Sequence, residues 1–262
     1  MDTPKFIFIV PYRNREKQKT NFLSKMTFLL KNNIPETDYK ILFVEQNDSR
    51  VFNRGAMKNL GFLYFKSLYP NHYKNMIFIF NDVDTLPNKY INYDTLNGVI
   101  KHFIGYTFTL GGIFSITGHD FEKIKGFPNF WGWGYEDNLI QQRAEENNIA
   151  IDRTDFIDLN ITKNNNSFNI ECQGHIKLIC ERCTSIFIYE GKNNKNGGDD
   201  FTYLKNYKGY YVNQDNILKI TYFECDIPYE SCIFIHKHSS QIIKPKGALR
   251  QNWKNLWNSF LK

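Results

Sequence analysis

Three short apolar runs limit the folds open to this chain. "KFIFIV" (5–10), "YKILFVEQ" (39–46) and "NMIFIFNDVD" (75–84) are rich in β-branched and aromatic residues, with little alternation of polar and apolar positions. Runs of that kind suit strands covered on both faces. Between the first two lies "NREKQKTNFLSKMTFLLKNN", in which Phe22, Leu23, Met26, Leu29 and Leu30 form a helical stripe. Between the second and third, "NRGAMKNLGFLYFKSLY" reads as another helix. Strand–helix alternation predicts a parallel sheet with crossover helices, and such sheets bind ligands at the carboxyl ends of their strands. Those ends read "PYRNR" after the first strand and "NDVD" at the third, both polar and of opposite charge.

After Ile104 the pattern changes. "YTFTLGGIFSIT" reads as a strand with a glycine break, "GHDFEKIKGF" as a short helix, and "GFPNFWGWGYEDN" as a loop leading into a helix over 136–147. "IAIDRTDFIDL" is a further strand. From 160 to 230 the sequence turns to "NNNS", "GKNNKNGGDD" and scattered Tyr and Cys, the texture of an insertion or a small β-rich subdomain. "SCIFIHKHSS" then returns to strand-like sequence, and "GALRQNWKNLWNSFL" has the pattern of an amphipathic helix. The expected organisation is a catalytic core over 1–158, an insertion over 159–230, and a return to the core over 231–262.

The 262 residues are 42% hydrophobic, enough for a substantial core, and the net charge of +6 suits an anionic ligand as well as a lysine-rich surface. Lys and Arg are not clustered with aromatics on one element, which argues against a nucleic-acid partner. No apolar run approaches the roughly 20 residues of a membrane span. Lys5 leads straight into "FIFIVPY" with no cleavage site, so no signal peptide is expected and the setting reads as cytoplasmic. The Asn/Lys/Ile-rich texture fits a viral or microbial source. Five cysteines do not suggest a disulfide scaffold. "CQGHIKLICERC" places Cys172, His175, Cys180 and Cys183 in zinc-like pairs, though only four residues separate the pairs.

Several short motifs carry chemistry. Asp82 and Asp84 of "NDVD" are hard oxygen ligands suited to Mn²⁺ or Mg²⁺, which bridge diphosphates; a polar strand end is the plain alternative. Arg13 and Arg15 offer guanidinium forks to phosphate. Arg54 stands at a helix start, where free N–H groups attract anions, beside Phe52, whose flat ring suits a base. "HKH" holds His236 and His238 close enough in sequence to serve one metal. In the loop, glycines at 132 and 134 allow sharp turns and close ligand approach. Tryptophan faces suit sugar rings. Glu136 and Asp137 begin a helix, which favours their ionised form and equips a carboxylate to take a hydroxyl proton.

With these pieces in this order, the chain resembles the β-1,4-galactosyltransferase family of inverting, metal-dependent glycosyltransferases. The match rests on "PYRNR", "FNRGAMKNLGF", "FNDVDTLP", "GGIFSITGHDFEKIKGFPNFWGWGYED" and "HKH". The polypeptide N-acetylgalactosaminyltransferases share a W-G-W-G-x-E core but fit the other motifs less well. The resemblance implies an α/β, GT-A-like Rossmann-type mixed sheet with flanking helices, here with a β-rich insertion. It further implies that Pro11, Arg13, Arg15, Phe52, Arg54, Asp82, Val83 and Gly112 hold a UDP-sugar donor, and that Asp84, His236 and His238 bind Mn²⁺. Trp133 would lie between donor and acceptor sugar, with Tyr135, Asp137 and Asn138 on the acceptor side. Asp137 would be the base and Glu136 would hold the transferred sugar. Thr109 stands where the family often carries a tyrosine that selects galactose, so UDP-GalNAc joins UDP-Gal as a candidate donor. The partners implied are a nucleotide-sugar and a glycan acceptor. A silent sugar-binding protein is the rival reading.

Overall fold

Every residue of strand β1 (Phe6–Tyr12) is buried. The computed structural model describes residues 3–132, 136–159, 203–226 and 229. Strands β2 (Tyr39–Gln46) and β3 (Ile77–Asn81) flank β1, both parallel to it, with Phe8 opposite Ile41 on one side and Ile79 on the other. Helices α1 (Glu16–Lys31) and α2 (Arg54–Leu68) provide the crossovers.

Alternation along the strands divides the core in two. Ile7, Ile9, Leu42, Val44, Phe78 and Phe80 join one cluster with Met57, Leu60 and Phe62 of α2. Phe6, Phe8, Val10, Ile41, Phe43 and Ile79 join the other, with Phe22, Met26 and Leu30 of α1. That double coverage explains why the strands read as continuous apolar runs.

The sheet then becomes mixed. Strand β5 (Ile113–Thr117) runs antiparallel to β3, with Phe114 opposite Phe80, and antiparallel to β4 (Val99–Gly105). Helices α3 (Gly118–Lys123) and α4 (Glu136–Glu146) follow, and β6 (Ala150–Asp152) and β7 (Ile157–Asp158) both pair parallel with β4. The hairpin β8 (Lys205–Val212) and β9 (Ile217–Glu224) completes the described chain. The strand order is β6-β4-β5-β3-β1-β2-β9-β8, with β7 beside β4.

Several details differ from the sequence reading. Strand β4 was not expected, because Lys101 and His102 interrupt its apolar run. The strand expected over 106–117 begins only at Ile113, after a loop. "IAIDRTDFIDL" is two short strands, since Asp152 accepts bonds from the backbone and hydroxyl of Thr154 at 2.9 and 2.6 Å and turns the chain. The β8–β9 hairpin comes from the stretch expected to form an insertion, and β9 joins the central sheet through β2 in parallel. No described helix is long and apolar enough to cross a membrane.

Candidate active site

The carboxyl ends of β1 and β3 and the start of α2 enclose a cleft of about 240 Å³. It is lined by Pro11, Arg13, Asn14 and Arg15 after β1, Phe52 and Arg54 at the start of α2, and Asp82, Val83 and Asp84 after β3. Asn14 apart, each of these residues was named from the sequence as donor- or metal-binding. Beyond Asn81 the chain turns, the Thr85 amide donating to the Asp82 carbonyl at 3.0 Å. The buried Asn81 amide braces the turn by donating to the carbonyls of Asp82 and Thr85 at 2.9 and 2.8 Å. The two acids consequently meet different cations: Asp84 pairs with Arg15 at 2.8 Å, and Asp82 lies 3.7 Å from the Lys58 ammonium. Arg13 lines the cleft while donating to the backbone carbonyls of Asp48, at 2.8 Å, and Arg50.

The segment 126–132 reaches this cleft because α2 holds it. Asn53 caps α2 by accepting from Ala56 N at 2.9 Å and donates to the Asn129 carbonyl at 3.1 Å. Asn59 accepts from Phe127 N at 2.9 Å and donates to Phe127 O at 2.8 Å and Asn129 Oδ1 at 3.0 Å. Gly55 lets the backbones touch, since a Cβ there would stand 2.0 Å from the Pro128 carbonyl oxygen. Gly132 N then donates to Phe52 O at 3.0 Å. Trp131 is core: it is 2% exposed, stacks on Phe223 with 5.1 Å between ring centroids, and carries the Arg50 guanidinium over its ring. That removes it as a sugar platform.

Glu136 and Asp137 open α4. Glu136 is buried and pairs with Arg54 at 3.4 Å. Asp137 accepts from Lys58 Nζ through Oδ1 at 3.0 Å. The 106–112 loop closes over this turn: Leu110 N donates to Asp137 O at 2.9 Å, and Asn138 Nδ2 donates to Phe108 O at 3.1 Å. Gly111 faces Asp137 so closely that a Cβ there would stand 2.8 Å from Asp137 Oδ2. Gly112 accepts from Asp82 N at 3.0 Å, tying the loop to the acids after β3. Behind the loop, the buried His102 contacts the Gly111 carbonyl through Nε2 at 2.8 Å, and its Nδ1 accepts from Arg153 Nε at 3.0 Å. Its Nε2 therefore carries the proton.

Four carboxylates and four cations thus share one site, and the proton affinities of Asp137, Asp82 and Lys58 are shifted there. Burial pushes Asp137 up to about 7, opposed by Lys58 and reinforced by Glu136 and Asp82. Burial also works against ionised Asp82, but Lys58 and Arg54 outweigh it and hold that carboxyl below its usual value. Lys58 is raised: burial disfavours its charge, but Asp137, Asp82 and Glu136 restore it. The outcome is one ionised carboxylate facing the cleft and one poised to bind a proton near neutrality.

Residues 2–96 match the family profile described as the N-terminal region of glycosyl transferase group 7, and residues 93–167 match the one described as the N-terminal domain of galactosyltransferase. Together these matches run over more than half of the chain. The chain belongs to the β-1,4-galactosyltransferase family. Among its relatives, β-1,4-galactosyltransferase 4 of Cricetulus griseus is 32% identical over 156 residues, 55% of this chain and 44% of that protein. The xylosylprotein 4-β-galactosyltransferase of Caenorhabditis elegans is 32% identical over 160 residues, 57% of this chain and 53% of that protein. The chain spans about half the length of these curated relatives. The fold is shared with the catalytic domain of Drosophila β1,4-galactosyltransferase 7 solved with xylobiose, at 22% identity and a TM-score of 0.64, over 88% of this chain and 98% of that one. A mutant of the same Drosophila protein, solved with manganese, UDP-Gal and xylobiose, superposes with a TM-score of 0.58 at 19% identity.

Not every family position expected from the sequence is described. Trp133, Tyr135, His236 and His238 lie outside the described residues, as do Cys172, His175, Cys180 and Cys183 of the zinc-like motif. Among the described residues no three His, Cys, Asp or Glu side chains form a metal-holding group. Asp84 nevertheless fits one ligand of a β-1,4-galactosyltransferase metal site: its carboxylate borders the cleft, is a hard donor, and is a third exposed. Sequence reasoning missed Lys58, Asn53, Asn59 and His102. Lys58 left one usable trace, its position four residues after Arg54, which puts two cations on one face of a helix otherwise packed into the core.

Proposed function

We propose that the chain is an inverting, UDP-sugar-dependent hexosyltransferase that moves galactose or N-acetylgalactosamine to a hydroxyl of an acceptor sugar, with Asp137 as the base. The observation that carries this reading is the convergence of Arg15, Phe52, Arg54, Asp82 and Asp84 on one cleft, with Asp137 tied to Asp82 through Lys58. It is supported by the UDP-Gal, manganese and xylobiose held by the Drosophila protein.

In this reading Arg15 and Arg54 receive the diphosphate and Phe52 faces the uracil. Asp84, with His236 and His238, would hold Mn²⁺, which when bound supplies a positive charge against the departing diphosphate. Asp137 accepts the proton of the acceptor hydroxyl. The oxygen forms a bond to the anomeric carbon from the side opposite UDP, the bond to the diphosphate oxygen breaks, and UDP leaves with the electron pair. Configuration at that carbon inverts. Glu136, steadied by Arg54, hydrogen-bonds the transferred sugar, and Trp133, Tyr135 and Asn138 meet the acceptor. Thr109, whose hydroxyl would stand 3.4 Å from a Cβ on Gly111, leaves a small side chain beside the base and favours testing a 2-acetamido donor alongside galactose.

The test is UDP release with Mn²⁺ across UDP-Gal, UDP-GalNAc, UDP-Glc and UDP-GlcNAc, with xylosides and N-acetylglucosaminides as acceptors, beside Asp137→Asn. Metal-dependent turnover that falls by about 10³ or more in the variant is the expected result, the loss of a general base and of its alignment together. If no donor turns over while UDP-sugars still bind, the protein is a silent sugar-nucleotide binder and the proposal falls.

A further inference from the structure

Lys58 is 1% exposed, in the second turn of α2. Lysine is almost never buried so deeply unless its charge is matched. Its ammonium lies 3.0 Å from Asp137 Oδ1, 3.7 Å from Asp82 Oδ1 and 4.5 Å from the centre of the Phe127 ring. The same Asp82 oxygen is buried and accepts no hydrogen bond among the described residues, so the nearby ammonium is its electrostatic support. Helix stability alone does not explain such an arrangement, since an apolar side chain would fill this place without a buried cation to match.

We propose that Lys58 is a positioning residue for proton transfer: its ammonium anchors Oδ1 of Asp137, leaves Oδ2 beside Gly111 as the oxygen that receives the acceptor proton, and couples that carboxylate to Asp82 on the donor side. This inference rests on Asp137 being the base. The groups that face Asp137 are Lys58 and Arg54 from α2, Asp82 from the turn after β3, and Glu136 from its own helix. The 106–112 loop contributes no charged side chain. Lys58 is therefore the cation in direct contact with the base, while Arg54 is engaged with Glu136. When the proton arrives on Oδ2, Asp137 becomes neutral and the ammonium stays matched by Asp82, so no buried cation is left without a counter-charge.

The experiment compares Lys58→Met, Lys58→Gln and Asp137→Asn with the parent protein, measuring kcat and KM against pH at saturating Mn²⁺ with UDP-Gal. Without the ammonium Asp137 binds its proton more tightly. The acid limb of kcat should move up by about one pH unit or more, and the rate at pH 6.5 should fall roughly tenfold. KM for UDP-Gal should change less than kcat, since Arg15, Phe52 and Arg54 keep their places in the cleft and only the support of Asp82 is lost. Lys58→Gln keeps a donor without the charge, so its high-pH rate should approach the parent's, whereas Lys58→Met should stay lower at every pH. It also serves should Lys58→Met fail to fold. An acid limb unmoved in Lys58→Gln, with rates lowered equally at all pH values, would overturn the inference and leave Lys58 a structural charge. Transfer retained in Asp137→Asn would instead remove the base reading itself, a separate failure.

Discussion

Two titrating residues sit on either side of the 106–112 loop, the partly exposed Asp137 and the buried His102, and their proton affinities are pushed in opposite directions. Asp137 gains affinity, so in the proposed role of base it should be ionised only above its raised value, and kcat/KM for transfer should climb with unit slope through about pH 7. His102 loses affinity: burial, with the Arg153 guanidinium at its Nδ1, lowers it to about 4 from an ordinary 6.5. A folded state that gives up this proton is favoured above the ordinary value and penalised as the pH falls below it. Stability should therefore be full above pH 6.5 and decline toward pH 4, by roughly 3 kcal/mol at most for a shift of this size. His102→Gln retains an amide N–H for the Gly111 carbonyl and does not titrate. Its urea midpoint should vary less between pH 6.5 and 4 than the parent's; equal slopes would show that His102 does not carry the effect.

Among the elements, α2 decides whether there is a site at all, because it holds both the cleft and the segment that leads to Asp137. Gly55→Ala tests this. In an exposed helix that change stabilises by about 1 kcal/mol. Here the added Cβ meets the Pro128 carbonyl, which belongs to backbone and cannot rotate away. The expected outcome is a loss of roughly 1–3 kcal/mol in urea unfolding together with weaker UDP binding, since the 126–132 segment must shift. An unchanged or higher midpoint would mean that α2 does not clamp this segment. The sequence revealed α2 as a helix and Arg54 as a cleft residue, since apolar stripes and helix starts leave local marks. Asn59 left none, because its partners lie 68 to 70 residues away and a polar residue in a helix usually faces water; Asn53 is legible as the cap of α2, but its bond to the Asn129 carbonyl, 76 residues on, is not. The strand β4 was hidden for a related reason: His102 is buried in it, but only its contacts with Gly111 and Arg153 make a polar side chain acceptable there. "PYRNR" and "NDVD" were legible because strand ends in such sheets collect ligand groups whatever the distant partners are.

On the scale of the whole molecule, the cleft assembles residues from β1, α2 and β3, and a ligand bound there stabilises only the folded chain. Arg15 and Asp84 are paired with each other in the free protein at 2.8 Å. A divalent cation alone must draw Asp84 away from a guanidinium, and UDP alone must draw Arg15 away from a carboxylate. Together they resolve both conflicts, the cation taking Asp84 and the diphosphate taking Arg15. The rise in melting temperature with Mn²⁺ plus UDP should therefore exceed the sum of the rises with each alone. At a ligand concentration of about 100 Kd the linkage amounts to roughly 2.7 kcal/mol. For a chain of this size that corresponds to about 5–10 °C. EDTA should abolish it. Arg15→Met should enlarge the response to Mn²⁺ alone, because Asp84 is released, and shrink the response to UDP, because a phosphate partner is lost. Additive shifts in the parent, or an Arg15→Met protein that responds to Mn²⁺ as the parent does, would show that the pair does not stand between the free and the liganded cleft.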